Sequence, residues 1–501
     1  MKKITLVNPP LVFSRKDVFT TGIVYMPAGL AYFAAALEKK GFKMSVVDAF
    51  GEDPNCLSVD GDFAARGLCA PDAAGKIDPG SAVIFVYAGV LSSHRASLGM
   101  IKACKAAVPL VPVIAMENTQ AATAYSLEPV AGQFYDAGAD FILTGEPEER
   151  GIKLIEAVIS GQTEPAIDGV GFRKNGRVVY AKPDSCIQDL DLLPFPSWEL
   201  FPVKNYWKLN YAHGPLKSGR YLPVITSRGC PYSCNFCVAP ATNSSRWRKR
   251  SARRVADELS YLKERFDVSE FHVEDLNPTV DDARTRELCG ELISRSLNVE
   301  WKLCAGTKVE TIKDEGTVEL MAQAGCRYIS VSPESGSASL MKAMNKTFDL
   351  DHALKIVRKA KQCGIFLQAC FVLGYPGETG ADRRQTSALA KTLVKAGVDE
   401  IAVFIITPVP GSKLFGEITG FGDISELNFS PAWRKDFGEL ARYRLGLYRD
   451  FLLWKLLFHP FRLLKQPLSF VRGSFDTKME MAPYRALHTL FLLLFAKRCK
   501  K

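Results

Sequence analysis

Cys230, Cys234 and Cys237 follow one another with the spacing Cys-x3-Cys-x2-Cys, and the next cysteine in the sequence is Cys289. A structural zinc ion or a fully ligated iron–sulfur cluster takes four protein ligands. Three thiolates around a 4Fe–4S cluster leave one iron free to bind another molecule, and an open metal position is typical of a catalytic site. The spacing therefore predicts a catalytic metal centre.

Two other uses of these cysteines agree less well with the sequence. A zinc ribbon needs a second Cys or His pair at short range, and no such pair follows Cys237. A disulfide framework is typical of small secreted domains, whereas thirteen cysteines in 501 residues are sparse. The chain also passes from Met1 into a strand-like run without a signal peptide. These features predict a cytoplasmic protein with reduced thiols.

Strand-like and helix-like segments alternate around the triad, as in a parallel sheet covered by helices. The run 221–226 predicts a strand that ends just before the triad, and five further strands are predicted within 270–406. Six strands with crossover helices predict a partial (β/α)6 TIM-like barrel over residues 196–420. Chemistry in such barrels lies at the carboxyl ends of the strands. Polar blocks follow the predicted strands at 274–275, 332–337, 374–379 and 407–412.

The triad and these blocks resemble the radical SAM superfamily, in its Elp3/MiaB-like branch, over about 221–415. The resemblance implies that the cysteines hold a 4Fe–4S cluster whose open iron binds S-adenosylmethionine. It further implies reductive cleavage of S-adenosylmethionine to a 5′-deoxyadenosyl radical. The implied S-adenosylmethionine contacts are Phe236, Val372 and Gly374 at the adenine, Glu274 or Asp275 at the methionyl amine, Glu334 at the ribose or amine, and also Ser332 and Thr407. Ser332-Pro333 departs from the glycine and apolar residue that relatives often carry there.

Residues 1–195 predict a second α/β unit, a doubly wound sheet of the Rossmann type. Its strands are predicted at 4–7, 44–48, 82–87, 112–116 and 141–144, and its ligands are expected in the crevice beyond their carboxyl ends. A polar, Gly-rich insert at 51–80 is predicted to loop over a strand end. Asn175-Gly176 predicts the turn of a hairpin. His94 is predicted to be a solvated residue at a helix start.

Short pieces of this unit, at 7–10, 27–32, 144–146 and 193–196, resemble the radical SAM proteins that carry a cobalamin-binding domain. The resemblance implies that the sheet presents a cobalamin to the barrel mouth. The implied cobalamin-binding residues are Asn8, Pro9, Gly89, Glu117, Asn118, Gly145 and Glu146. The chain lacks the Asp-x-His-x-x-Gly motif that supplies an axial histidine in some cobalamin domains. It also has 116–119 where many relatives carry Gly-Gly-Pro-His, so the larger side chains either obstruct the cofactor tail or hydrogen-bond to it.

The segment 421–501 predicts a helical, basic and aromatic C-terminal extension. Residues 441–501 hold thirteen Lys or Arg and three Asp or Glu, a surplus that equals the +10 net charge of the whole chain. Its apolar runs are too short to span a bilayer, since twelve helical residues reach only ~18 Å against ~30 Å of hydrocarbon. Basic residues beside Trp, Phe and Leu favour a helix lying at an anionic membrane surface. The alternatives are a helical cap on the barrel and, less consistent with the aliphatic excess, an RNA-binding surface.

The function that the resemblance implies is radical chemistry at an unactivated carbon, with cobalamin-dependent methyl transfer as the leading reaction. A cyclase or rearrangement enzyme without methyl transfer is an alternative, and a non-catalytic cofactor-binding scaffold is a second. The implied cofactors are a 4Fe–4S cluster, S-adenosylmethionine and cobalamin. The expected partners are a small-molecule or lipid substrate, an electron donor such as flavodoxin or ferredoxin, and the inner face of a membrane, while nucleic acid is not expected. The residues specify neither the substrate nor a catalytic side chain beyond the cluster ligands.

Overall fold

The computed structural model describes residues 2–121 and 123–495. Its N-terminal part carries ten strands and seven α-helices. They are β1 (Lys3–Asn8), β2 (Leu11–Ser14), α1 (Ala28–Lys39), β3 (Lys43–Asp48), α2 (Ala49–Glu52), β4 (Leu57–Asp60), β5 (Phe63–Arg66), α3 (Ala70–Ala74), β6 (Ser81–Ala88), α4 (His94–Ala107), β7 (Val113–Glu117), α5 (Ala131–Asp136), β8 (Phe141–Leu143), α6 (Pro147–Ile159), β9 (Val170–Lys174), β10 (Arg177–Tyr180) and α7 (Val203–Lys208).

Seven of these strands form one sheet in the order β10-β9-β8-β7-β6-β1-β3. Strands β3, β1, β6, β7 and β8 are parallel. Strand β6 is apolar almost throughout because both faces of the sheet are covered. Val83 and Phe85 pack into one core cluster and Ile84 and Val86 into another, as the twofold alternation of a strand requires. The predicted doubly wound sheet is present.

The hairpin β9–β10 extends this sheet with antiparallel pairing. Asn175 and Gly176 both have positive φ, at 49° and 76°, as a two-residue type I′ turn requires. The predicted hairpin is confirmed.

Two other expectations for this part are wrong. The insert 51–80 is not a loop throughout, because β4 and β5 pair with β2 in a three-stranded antiparallel sheet. Leu57 and Ala64 of this sheet pack against Phe13 and Ala486, so a contact with the far end of the chain stabilises it. His94 is buried rather than solvated, and its ring hydrogen-bonds with the Tyr125 hydroxyl and with Gln133 Oε1.

The second sheet is built from the middle of the chain. Its strands, helices and a short ribbon are β11 (Leu222–Val224), β12 (Ser227–Arg228), α8 (Ala239–Asn243), β13 (Arg248–Lys249), α9 (Ala252–Phe266), β14 (Glu270–Val273), α10 (Asp282–Ser294), β15 (Glu300–Thr307), α11 (Glu315–Gln323), β16 (Cys326–Glu334), α12 (Ala338–Ala343), α13 (Leu350–Gln362), β17 (Phe366–Leu373), α14 (Gly380–Ala396) and β18 (Glu400–Ile405). Six strands pair in parallel in the order β11-β14-β15-β16-β17-β18. The predicted six-stranded partial barrel is present, and β12 and β13 form a separate antiparallel ribbon.

The C-terminal part is helical, with α15 (Phe437–Phe458), α16 (Pro460–Leu464), α17 (Gln466–Arg472) and α18 (Lys478–Phe495). Helix α15 packs on α14 and β18, and α18 also reaches β18. Among the described residues, no helix is both long and apolar enough to cross a membrane.

A buried charge cluster joins the two sheets. Arg228, on the β12–β13 ribbon, forms an ion pair with Glu148 at the start of α6, and both side chains are almost fully buried. Glu146 lies 3.6 Å from Arg228 and pairs with Arg248 on the same ribbon at 2.7 Å. Although burial opposes ionisation of both groups, these opposite charges raise the pKa of Arg228 and lower that of Glu146. The cluster fixes the start of the cysteine loop against the N-terminal sheet.

Candidate active site

The cysteine loop begins where the β12–β13 ribbon leaves the barrel. Gly229 has φ +80°, and a Cβ there would lie 2.0 Å from the Arg246 carbonyl oxygen, so only glycine fits. Further along, the Asn235 backbone N–H donates to the Met344 carbonyl, and the Asn345 side chain donates to the Ser233 carbonyl. The loop is therefore held from one end by the ribbon and from the other by the residues after α12.

The three thiols of the triad lie on the wall of one large cavity of about 2040 Å³. Burial raises the pKa of Cys230 and Cys234, and it raises that of Cys237 to about 12, with the neighbouring thiolates adding to the effect at Cys237. The Ala239 backbone N–H points at Cys237 Sγ from 3.4 Å. Three thiols on one cavity wall that resist ionisation without a cation suit a metal centre, which displaces their protons when it binds.

A buried ion pair lies beside the triad in the wall of this cavity. Lys346 Nζ lies 2.6 Å from Glu334 Oε1, and both side chains are about nine-tenths buried. Although burial opposes its charge, Glu334 and then the thiols of Cys234 and Cys237 raise the pKa of Lys346. Glu334 ends β16 with φ +60°, a conformation that a non-glycine residue adopts at a cost and that is frequent at functional sites.

Five of the eight residues predicted to contact S-adenosylmethionine line the cavity together with the triad. They are Phe236, Ser332, Glu334, Val372 and Thr407. They come from the cysteine loop, from the ends of β16 and β17 and from the segment after β18, so the barrel brings together residues that are far apart in the sequence.

The other three predicted contacts lie elsewhere. Asp275 is buried and accepts hydrogen bonds from the Thr226 backbone N–H at 2.7 Å and from the Thr226 and Ser227 hydroxyls. Gly374 donates its N–H to Glu378, and its own φ is +74°. These contacts shape the strand ends; their predicted role at S-adenosylmethionine stays a prediction.

Glu274, the third of these predicted contacts, belongs to a network of polar side chains between the barrel and the N-terminal sheet. Burial lowers the pKa of His213, and its ring donates from Nδ1 to Glu274 Oε2 at 2.7 Å. Although burial opposes its charge, His213 lowers the pKa of Glu274. Lys478 Nζ lies 3.3 Å from His213 Nε2, and the Tyr25 ring packs on the His213 ring with centroids 4.5 Å apart.

Four residues predicted to bind cobalamin surround a small crevice beyond the carboxyl ends of the N-terminal strands. Asn8, Pro9, Gly89 and Asn118 line this space, which measures about 80 Å³. Tyr25 and His213 line both the crevice and the large cavity and separate the two.

The remaining three residues of that prediction are engaged within the protein. Glu117 accepts hydrogen bonds from the backbone N–H groups of Leu127 and Gly145, and burial raises its pKa to about 7. Glu146 belongs to the charge cluster with Arg228 and Arg248. Their assignment to cobalamin stays a prediction.

The two cofactor sites fit their groups to different degrees. The triad offers three soft donors on the wall of one roomy cavity, which suits a 4Fe–4S cluster. The crevice contains two buried polar atoms without a protein partner, the Tyr221 hydroxyl and Gln120 Oε1, which suit the amide groups of a corrin. Because 80 Å³ is far less than a corrin occupies, the crevice must widen to take one.

Several residues of the site carry no motif in the sequence. Lys346, Tyr25, His213 and Lys478 come from four separate segments and meet only in the folded chain. The sequence signal for Lys346 is limited to its position between two polar neighbours after α12, which is common on protein surfaces.

Comparison with known proteins assigns the barrel. The model of the Radical SAM superfamily matches residues 224–409. A cytidylyl-2-hydroxyethylphosphonate methyltransferase of Streptomyces wedmorensis is 25% identical over 492 residues, and the match covers 90% of each chain. An anaerobic magnesium-protoporphyrin IX monomethyl ester cyclase of Rubrivivax gelatinosus is 28% identical over 370 residues, covering 70% of this chain and 63% of the cyclase.

The fold is also similar to that of a solved protein. The radical S-adenosylmethionine methyltransferase TsrM from Kitasatospora setae, solved with cobalamin and a [4Fe-4S] cluster bound, superposes with a TM-score of 0.62. Its sequence is 17% identical, and the match covers 83% of this chain and 78% of TsrM. The match to the family model and the open three-cysteine site identify the barrel of this chain, residues 224–409, as a radical SAM domain, whose cofactors are a 4Fe–4S cluster and S-adenosylmethionine.

Proposed function

We propose that this enzyme transfers a methyl group to an unactivated carbon in a cobalamin-dependent reaction. The observation that carries the proposal is the arrangement of two ligand-binding spaces that share a wall. The cavity of the cysteine triad and the crevice of the N-terminal sheet meet at Tyr25 and His213. The likeness to a methyltransferase over nine-tenths of the chain supports the choice of reaction.

The side chains around the triad suggest how S-adenosylmethionine is held. Its methionyl group carries both an ammonium and a carboxylate, and Glu334 and Lys346 offer the complementary pair beside the triad. Phe236 and Val372 contribute apolar surface for the adenine. We therefore assign Glu334, Lys346, Phe236 and Val372 to S-adenosylmethionine binding.

When bound, the cluster supplies the electron that cleaves S-adenosylmethionine, and cobalamin supplies the methyl group. The contribution of this chain is to hold the reacting groups in line and to exclude water. Cys230, Cys234 and Cys237 hold the cluster, while Asn8, Gly89 and Asn118 line the space for the corrin. Movement of Tyr25 and His213 opens one space to the other.

A cyclase reaction without methyl transfer is the second candidate, because the Rubrivivax gelatinosus cyclase matches 70% of this chain. The two candidates differ in what becomes of the S-adenosylmethionine methyl group.

The test is anaerobic reconstitution with iron, sulfide, cobalamin and S-adenosylmethionine that carries a deuterated methyl group, with a cell extract as the source of substrate. We expect 5′-deoxyadenosine together with a product that is heavier by one labelled methyl group. Release of 5′-deoxyadenosine with an unlabelled product supports the cyclase. Absence of both products contradicts a catalytic role, and normal labelling without added or co-purified corrin contradicts cobalamin dependence.

We also propose that the C-terminal helices contact an anionic membrane. Thirteen large apolar side chains of α15 to α18 are exposed, against eight scattered over the rest of the described residues. We call these thirteen the apolar face: Leu445, Leu452, Leu453, Leu456, Leu457, Phe461, Leu468, Val471, Leu487, Leu490, Phe491, Leu494 and Phe495. Their spacing within α15 and α18 places them in stripes on the exposed side of each helix.

Positive charges accompany the apolar face. Arg442, Arg449, Lys465 and Arg472 are exposed on the same helices. Other basic residues of this part point inward, such as Lys455, which donates to the Asp399 carbonyl, and so do not contribute to the surface. The exposed charges suit the headgroups of an anionic leaflet.

We also propose that an electron donor such as flavodoxin or ferredoxin reduces the cluster.

Membrane contact predicts salt-sensitive binding of the holoenzyme to vesicles that contain phosphatidylglycerol. Replacing Leu456 and Leu457 by glutamate puts two charges on the apolar face, and we expect binding to weaken at least about tenfold. Vesicle co-sedimentation measures the effect. Leu110→Glu, at a residue that is 96% exposed in the N-terminal part, is the matched control and should bind as the wild type does. Equal binding by all three proteins, or none by the wild type, contradicts membrane contact.

A further inference from the structure

The cavity of the cysteine triad is much larger than S-adenosylmethionine needs. Its volume is about 2040 Å³, whereas pockets for small molecules measure roughly 300–1,000 Å³. Most of its lining is apolar, and its charged residues lie mainly near the triad and on the C-terminal helices. A large apolar substrate therefore has room beside the nucleoside.

The cavity reaches the protein surface at the apolar face. Leu445 and Leu452 of α15 line the cavity, and yet they are 67% and 44% exposed. Phe19, which also lines the cavity, is 55% exposed, and its carbonyl accepts a hydrogen bond from Arg485 of α18. The mouth is thus framed by apolar side chains, two of which belong to the surface that we assign to the membrane.

The walls behind the mouth are largely apolar. Tyr448 on α15 and Met481 and Ala482 on α18 line them, and Arg444, Lys478 and Arg485 of the same helices also line the cavity. The cavity extends to Glu334 and Lys346 beside the triad, where radical chemistry starts. Because most of this lining is apolar, an acyl or polyprenyl chain suits it better than a peptide or nucleotide, whose many polar groups would lose water for only a few charged partners.

We propose, on the basis of the radical reaction assigned above, that the substrate is an amphiphilic lipid that enters the cavity from an anionic bilayer. Its apolar chain passes between Leu445 and Leu452, and its headgroup stays at the mouth among the basic residues. The carbon that reacts is then part of the chain rather than of the headgroup.

The test uses the reconstituted holoenzyme and a dansyl-labelled undecanoic acid as the acyl probe. We expect saturable binding with one probe per chain and displacement by unlabelled oleic acid. Leu445→Arg puts a charge at the mouth, and we expect it to weaken probe binding at least about tenfold. Leu110→Arg is the matched control, and its probe binding and 5′-deoxyadenosine release should equal those of the wild type.

The possible results distinguish a failure of the lipid assignment from a failure of the proposed radical reaction. Non-saturable probe binding, or equal affinity in Leu445→Arg and the wild type, overturns the lipid assignment even when the enzyme releases 5′-deoxyadenosine. Absence of 5′-deoxyadenosine from the wild type overturns the proposed radical reaction, while saturable, mouth-dependent probe binding still supports the lipid site. A phosphopeptide or nucleotide mixture that displaces the probe as well as oleic acid does also contradicts the lipid assignment.

Discussion

Cys234→Ala should abolish both the visible absorbance of the 4Fe–4S cluster and the release of 5′-deoxyadenosine. The three thiols of the triad line the same cavity. The two thiols that remain in the variant cannot hold a 4Fe–4S cluster that is stable in the presence of reductant. Because the cluster supplies the electron, S-adenosylmethionine is no longer cleaved without it. We expect the rate of 5′-deoxyadenosine release to fall at least about a thousandfold, which corresponds to a barrier about 4 kcal/mol higher. Absorbance spectra and chromatography of the nucleoside products after anaerobic reconstitution measure the two effects.

Cys363→Ala is the matched control, since Cys363 is a partly exposed thiol at the end of α13, away from the triad. We expect it to retain the cluster and the cleavage of S-adenosylmethionine. A Cys234→Ala protein with wild-type absorbance and 5′-deoxyadenosine release would rule out the triad as the cluster site.

The second large effect is expected at the charge cluster between the sheets. Arg228→Ala leaves Glu148 buried without its partner and Glu146 with only Arg248. Removal of one member of a buried ion pair costs about 3–5 kcal/mol because the other charge stays in a poor dielectric. We therefore expect the free energy of unfolding, measured by urea denaturation, to fall by about that amount.

Two variants sharpen this test. Arg220→Ala removes an exposed ion pair with Asp267 and should change stability by less than about 1 kcal/mol. The double variant Arg228→Met with Glu148→Leu removes both charges and should recover much of the loss. If Arg228→Ala proves as stable as Arg220→Ala, the cluster does not hold the sheets together.

The order of elements could be predicted from the sequence because it depends on local patterns. Apolar runs such as Phe366–Leu373 between amphipathic helices indicate buried parallel strands, and the structure has that strand with those bounds. Asn175-Gly176 likewise determines its turn through its own backbone preferences. The cysteine spacing indicates a metal centre for a similar reason, since the three ligands proposed for the cluster come from a single loop.

The rest of the site depends on contacts between distant segments. Lys478 meets His213 across 265 positions of sequence, and Arg228 meets Glu148 across 80. The small sheet of β2, β4 and β5 also escaped prediction, because its short strands acquire their core from Ala486 at the other end of the chain. His94 was expected in solvent because a helix start is commonly exposed, whereas here Tyr125 and Phe134 cover it.

Helix α18 forms part of the cavity wall, so the cavity is completed only when the end of the chain has been synthesised. Met481 and Arg485 line the same space as the cysteine triad, although the ribosome adds them long after the barrel strands. Domains generally fold in the order of their synthesis. During translation the triad therefore faces open solvent on the side that α18 covers later. Docking of the last helix then narrows the access to the thiols, which afterwards leads through the mouth of the cavity.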